Sequence, residues 1–480
     1  DHDAMKSAIS EVLPEVIAHL QNSDNIVLLI NLADLCESTG LFLEAENKYL
    51  RCLELAEQLP SEYESIYKEK SLNCLANTYV HLGQFNKAKA MFQQSLEIEK
   101  SLYGETTSSY LYGIYRLAKV YESLEEFDEA EISYQFIIDL EEKSGSDDMS
   151  VCLLGLYSLA DIYKNSNRFD DEVITYLRIM EMQKQITGEV SISYVSGLNG
   201  LANAYFNLRQ YNKAEEAFQH SLDIQKRITG EYTQHYATCL QNIAKVYRNL
   251  GRLNEAETLF LRSLEIEKLI AGEESLEFAS GLNGLADLYY FQCRLQEAEA
   301  SYLRCLEIQR KITGEETLRF ASGMFSLANT YDSLGQLNKA ESAYLRSLEV
   351  WKKITGEETL DYADGLHGLA NVYYNLGRLS EAETIYSCSL EIKKKVIGED
   401  TLEYSIGLYN LANTYLKLDR LSEAEAAYLR SMEIERRITG SESLSYASGF
   451  NNLAQRYHDL DQNISAESAL LRSLEIRRNI

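Results

Sequence analysis

Asn199 and Asn203, Asn283 and Asp287, His367 and Asn371, and Tyr409 and Asn413 are side-chain pairs set four residues apart. Each pair brackets the leucine of one recurring Leu-Ala dipeptide. Asn329 holds the second of these positions beside Leu327, and Phe206, Tyr290 and Tyr374 follow three residues after it in their own copies. A carboxamide offers an acceptor and two donors, so a row of them can hydrogen-bond the backbone of an extended chain lying alongside. Aromatic rings between the amides can bury that chain's side chains. This is the chemistry of recognition, and nothing beside it points to catalysis. The seven histidines are dispersed, with no H-E-x-x-H and no Cys–His grouping at metal spacing. Phosphate-binding, nucleophile-elbow and dinucleotide motifs are also missing, so no enzyme, metal or cofactor is expected.

The elements that must position these residues follow from an internal repeat. Leu-Ala (Ile243-Ala244 in one copy) with Tyr three residues after the alanine recurs from Ala76 to Ala454 at a strict 42-residue spacing, with an earlier copy at Leu32-Ala33. Twelve residues after each such alanine comes another (Ala214, Ala256, Ala298, Ala340, Ala382, Ala424), with Glu172 as the exception. Four residues later stands an aromatic: Phe218, Phe260, Tyr302, Tyr344, Tyr386 and Tyr428. Two amphipathic helices per unit satisfy this pattern, small residues marking close crossings and rings filling the space between. Gly83, Gly251, Gly335 and Gly377 read as ends of first helices, Gly314, Gly356 and Gly398 as ends of second helices, and Thr317, Thr359 and Thr401 as N-caps. A glycine four residues before the leucine (Gly113, Gly155, Gly197, Gly281, Gly323, Gly365, Gly407, Gly449) costs its helix about 1 kcal/mol relative to alanine. Its recurrence predicts a close helix–helix approach. Glu172, a carboxylate at a small position, predicts a weak point in the fourth repeat.

The order of small and aromatic positions, Leu201, Ala202, Tyr205, Ala214, Phe218 and Ser221, resembles the tetratricopeptide repeat. The 42-residue form, lengthened from the 34 of the basic repeat, is similar to repeats of kinesin light chains and the bacterial proteins named after them. Those families usually carry an acidic-His-Pro turn between units, where this chain has Gly314–Leu318, GEETL. The resemblance implies an all-α fold, a right-handed α-solenoid of about eleven helical hairpins. First helices then line a concave face, and Asn199, Asn203, Phe206, Asn283, Asp287, Tyr290, Asn329, His367, Asn371, Tyr374, Tyr409 and Asn413 border a peptide-binding groove.

The 480 residues divide into an N-terminal capping helix over 1–22 and an eleven-repeat array over 23–480. Only 2 prolines favour long uninterrupted helices, and 46 basic against 74 acidic residues leave a net charge of −28. That excess repels a phosphate backbone, so nucleic acid is not the expected partner, and no apolar stretch is long enough for membrane insertion. Glutamates around the second-helix alanines and in the turns form a solvated acidic edge, with Arg262, Arg304, Arg346, Arg430 and Arg472 placed to pair with them. Eight scattered cysteines read as reduced thiols and a cytoplasmic location. Leu471, Leu474 and Ile476 need cover, so the natural chain is expected to continue there, or that end to meet another domain or a second copy. The leading expectation is a non-enzymatic scaffold for a protein or peptide partner. The alternatives are a sensor arm of a larger signalling protein, its nucleotide-switch or caspase-like effector lying elsewhere, and a kinesin-light-chain-like cargo adaptor. The adaptor needs a coiled coil that Asp1–Leu20 is too short to supply.

Overall fold

The computed structural model describes residues 25–144, 149–439 and 444–479; the expected capping helix over 1–22 lies outside the described residues. Among the described residues are 22 helices and no strand, from Ile26–Ser38 to Asn463–Asn479. They pair into eleven hairpins, each a first helix of mostly 16 residues and a second of mostly 18 or 19. The architecture is an all-α helical-repeat solenoid. It divides into two compact units at Ile224 and Gln225, within the helix Tyr211–Ile228. Inside each unit a helix packs on the one before and the one after, and first helices of adjacent repeats also touch.

Local chemistry sets the helix ends where the repeat places them. The Thr317, Thr359 and Thr401 hydroxyls accept from the backbone N–H groups of Phe320, Tyr362 and Tyr404, satisfying donors that a helix start leaves open. Gly335 and Gly377 take φ of 71° and 77° just past the first helices, a left-handed turn that a Cβ disfavours. Cys293 and Asp419 adopt the same sign of φ at the corresponding place in their repeats without that freedom.

The interior is the predicted stripe. Ala286, Ala328, Ala370 and Ala412 are fully buried, as are Ala298, Ala340, Ala382 and Ala424 from the second helices. Tyr302, Tyr344, Tyr386 and Tyr428 fill the space between them. Each such ring, removed from water, contributes about 1.5–3 kcal/mol. The recurrent glycines are explained by contact. A Cβ on Gly281 would meet Leu264 Cδ2 at 2.8 Å and Glu267 Oε2 at 2.9 Å, and one on Gly365 would meet Leu348 Cδ2 at 2.9 Å. Gly155 departs from this rule, since its nearest neighbour would stand at 3.7 Å, an ordinary contact. A second set, absent from the sequence reading, sits directly before the leucine: a Cβ on Gly284 or Gly368 would come within 2.5 Å of the Phe260 or Tyr344 ring.

Glu172 is buried, as its small-residue position requires, and Oε2 has no hydrogen-bond partner. Burial raises its carboxyl pKa above the usual range, against the opposing pull of Lys164 and a hydrogen bond from Asn207.

Candidate functional site

The candidate residues fall on first helices in both units, which are described separately. In the first unit, Asn199 is half-buried and its Oδ1 accepts from Ser221 Oγ at 2.7 Å. Asn203 is exposed, and Phe206 is half-buried with its ring edge-on to Tyr211 at 5.5 Å.

In the second unit the position two after the leucine follows one rule wherever the second helix carries a tyrosine. Asn329 Oδ1 accepts from the Tyr344 hydroxyl, Asn371 Oδ1 from Tyr386, and Asn413 Oδ1 from Tyr428 at 2.5 Å. Asp287 accepts from Tyr302 in the same way. Donor and acceptor always stand fifteen residues apart, one on each helix of a hairpin. The tyrosine is buried and its hydroxyl needs an acceptor, so the carboxamide is held by its oxygen while its N–H₂ remains for another bond. Where the second helix has phenylalanine instead, as at Phe218 and Phe260, the partner position holds Asn203 or Lys245, released from this bond. Tyr and Asn or Asp recur fifteen residues apart in these four repeats of the sequence, but Asn203 stands opposite Phe218 at the same spacing, so only the crossing of the two helices shows which amides are bonded.

The position two before the leucine leans toward its own second helix. Gln241 is buried and donates to Ser263 Oγ and Glu267 Oε1 at 3.0 and 2.7 Å. Phe325 packs on Trp351 at 5.6 Å, and Tyr409 on Tyr428 at 5.4 Å. Asn283 is half-buried at this register. His367 packs edge-on to Tyr386 at 5.3 Å, and its Nε2 lies 3.0 Å from Asn410 Nδ2, which makes this nitrogen the acceptor. Burial and the neighbouring Lys393 push its pKa down to about 4, against Asp364, so the imidazole is neutral at physiological pH.

Rungs between neighbouring first helices complete the face. Asn410 reaches Asn371 Oδ1 at 3.4 Å as well as His367, Asn375 donates to Asp332 at 3.4 Å, and the Tyr290 hydroxyl bonds Ser333 Oγ at 3.2 Å. Lys417 Nζ sits 3.6 Å above the Tyr374 ring. Arg248 lies 3.9 Å from Asp287. Close surroundings raise the Asp287 pKa and lower that of Lys245, the losses of hydration outweighing the charges each has nearby.

The acidic excess lies elsewhere. Arg294, Arg378 and Arg420 stack on Tyr289, Tyr373 and Tyr415 and each bridges a glutamate of the preceding second helix to one of its own. Arg304, Arg346 and Arg430 form a second ladder with Glu274, Glu315 and Glu399 in the turns, the pairing that their spacing predicts. A cavity of about 760 Å³ opens between the second helices of repeats seven and eight, over Phe320, Met324 and Leu327, and none of the candidate residues lines it. Among the described residues no group of three His, Cys, Asp or Glu is placed to hold a metal ion, and no helix is long and apolar enough to cross a membrane.

Comparison with known proteins matches a Tetratricopeptide repeat model to residues 67–136, 194–268, 277–353, 321–395, 361–434 and 403–479, and a second Tetratricopeptide repeat model to 28–63. No curated protein matches. Among solved structures, the chain is similar to BtubC (BKLC) from P. vanneervenii at 21% identity, over 48% of this chain and 92% of that one, with a TM-score of 0.43. It is similar at 21% identity to a Podosopora anserina putative kinesin light chain of nearly identical TPR-like repeats, over 42% and 95%, with a TM-score of 0.38. A Rap protein complexed with Competence and Sporulation Factor aligns at 16% identity over 78% and 99%, with a TM-score of 0.48.

Proposed function

Because the chain belongs to the tetratricopeptide-repeat family, we propose that it is a non-enzymatic scaffold whose first helices hold an extended segment of a partner protein. The observation that supports this reading is the row of Asn329, Asn371 and Asn413, each carboxamide oriented through its oxygen by a buried tyrosine. A side chain fixed beforehand loses less rotamer entropy when it donates its N–H₂ to a passing carbonyl. Tyr290, Tyr374 and Tyr409 supply apolar surface beside that row, and the glutamate-rich ladders lie on other positions of the repeat. None of the eight cysteines is in a disulfide, which suits a reducing compartment, and the cytoplasm is the proposed location.

The test substitutes Asn329→Asp, Asn371→Asp and Asn413→Asp together. Aspartate keeps an acceptor for each tyrosine, as Asp287 does for Tyr302, and removes the donors. A partner identified by mass spectrometry after capture on the wild-type protein is expected to be lost by the triple variant, with helicity and melting temperature preserved. Capture at the wild-type level by a folded triple variant rules the first-helix face out.

A further inference from the structure

One side chain in the second unit has no part in the candidate site and does not suit its surroundings. Glu267 is fully buried in the second helix of repeat six, Leu253–Ile270. Its Oε1 accepts from Gln241 at 2.7 Å and Gln234 at 3.4 Å, both on the first helix of the same repeat. Its Oε2 has no hydrogen-bond partner and lies where a Cβ on Gly281, on the first helix of repeat seven, would meet it at 2.9 Å. The one other charged group acting on it is Glu277, from that same first helix, and it has the same sign. The equivalent register holds buried, neutral Gln183, Gln225 and Gln309 in repeats four, five and seven, and buried glutamates, Glu99 and Glu141, in repeats two and three of the other unit. Repeat six therefore places an ionisable group where its neighbours place an amide of the same shape.

We propose that the joint between repeats six and seven is operated by a proton: with Glu267 neutral the two repeats stay closed on each other, and ionisation drives them to open and hydrate the carboxylate. A buried carboxylate without a cation loses hydration that two amide bonds do not replace. Burial raises this group from its ordinary 4.5 to about 7, well within the physiological range. The sign follows by linkage. The closed joint binds the proton more tightly than the open one, so its stability is full below pH 4.5 and is lost as pH rises through 7. Arg248 and Asp287 face each other across the first helices of the same two repeats, so opening also parts that pair.

The experiment is hydrogen exchange of the full chain at pH 5 and pH 8, corrected for the intrinsic rate, read in peptides from 253–291. Between these pH values the opening equilibrium of the wild-type joint is expected to grow on the order of 70-fold, if the opened carboxyl returns to its ordinary pKa. Glu267→Gln is expected to be equally protected at both. Gln309→Glu, at the equivalent place in repeat seven, is expected to transplant the loss of protection to the joint with repeat eight. Unchanged wild-type protection, a fall that persists in Glu267→Gln, or no new fall in Gln309→Glu overturns the proposal.

Discussion

Gly368→Ala sets two physical terms against each other, and the structure decides the winner. On helix propensity alone, alanine in the middle of Leu360–Asn375 stabilises by about 1 kcal/mol. The added Cβ, however, stands 2.5 Å from Tyr344 Cε1 and Cζ and 2.7 Å from its hydroxyl oxygen. Tyr344 is 1% exposed and its hydroxyl is bonded to Asn329, so the ring cannot swing aside without giving up about 1 kcal/mol of hydrogen bond and disturbing the packing around it. Overpacking of this kind costs about 1–3 kcal/mol, and loss of the hydrogen bond adds to it, so a net loss of about 1–3 kcal/mol is expected after the propensity gain. Trp351, the single tryptophan, is buried against Phe325 in the same pair of repeats, and its fluorescence reports unfolding there alongside circular dichroism. Gly155→Ala is the control. Its Cβ meets nothing closer than 3.7 Å, so the propensity term is unopposed and the variant is expected to gain up to about 1 kcal/mol. A Gly368→Ala protein as stable as wild type, or more so, refutes the account of these glycines as crossing points.

Glu172→Ala is expected to stabilise by about 1–3 kcal/mol, because it removes a buried carboxylate with an unpartnered oxygen. Since burial raises that carboxyl pKa, the wild-type penalty grows as pH rises, so the gain in melting temperature is larger at pH 8 than at pH 5; the reverse order contradicts the assignment. Asn371→Ala strands the buried Tyr386 hydroxyl and is expected to cost about 1–3 kcal/mol in urea unfolding. Asn371→Asp keeps the acceptor and is expected to cost less, and equal losses for the two count against the tyrosine bond. Finally, Glu341 and Glu383 are half-buried beneath Arg378 and Arg420, so Arg378→Met and Arg420→Met are each expected to lower the melting temperature at a fixed, low ionic strength. An unchanged melting temperature in both variants shows that the ladders carry no net stability.

How far the sequence reaches depends on whether a feature is local to the repeat. The hairpins, their caps and the alanine–aromatic stripe are legible because each rests on spacing within one helix or between neighbouring turns. Thr317 caps because it precedes an amphipathic run, and Ala328 is buried because it recurs in phase with Leu327 and Tyr331. The candidate face is only half legible. Two positions four residues apart share one side of a helix, so both rows around the leucine read alike. Packing separates them by where the second helix crosses: Gln241 and Phe325 turn into the hairpin, while Asn329 and Asn371 stay at its edge.

The all-α repeat, its 42-residue phase and the residues that must be buried follow from spacing along the chain, because a helix with one apolar stripe has no other stable way to shield it. What each polar side chain is for depends on packing between helices. Whether an asparagine is free or held by a tyrosine fifteen residues on, and whether a glutamate meets arginine at the edge or stands without a cation in the interior, depends on which atoms another helix brings within 3 Å. That distance is set by the crossing of helices, and no single segment of the chain contains it.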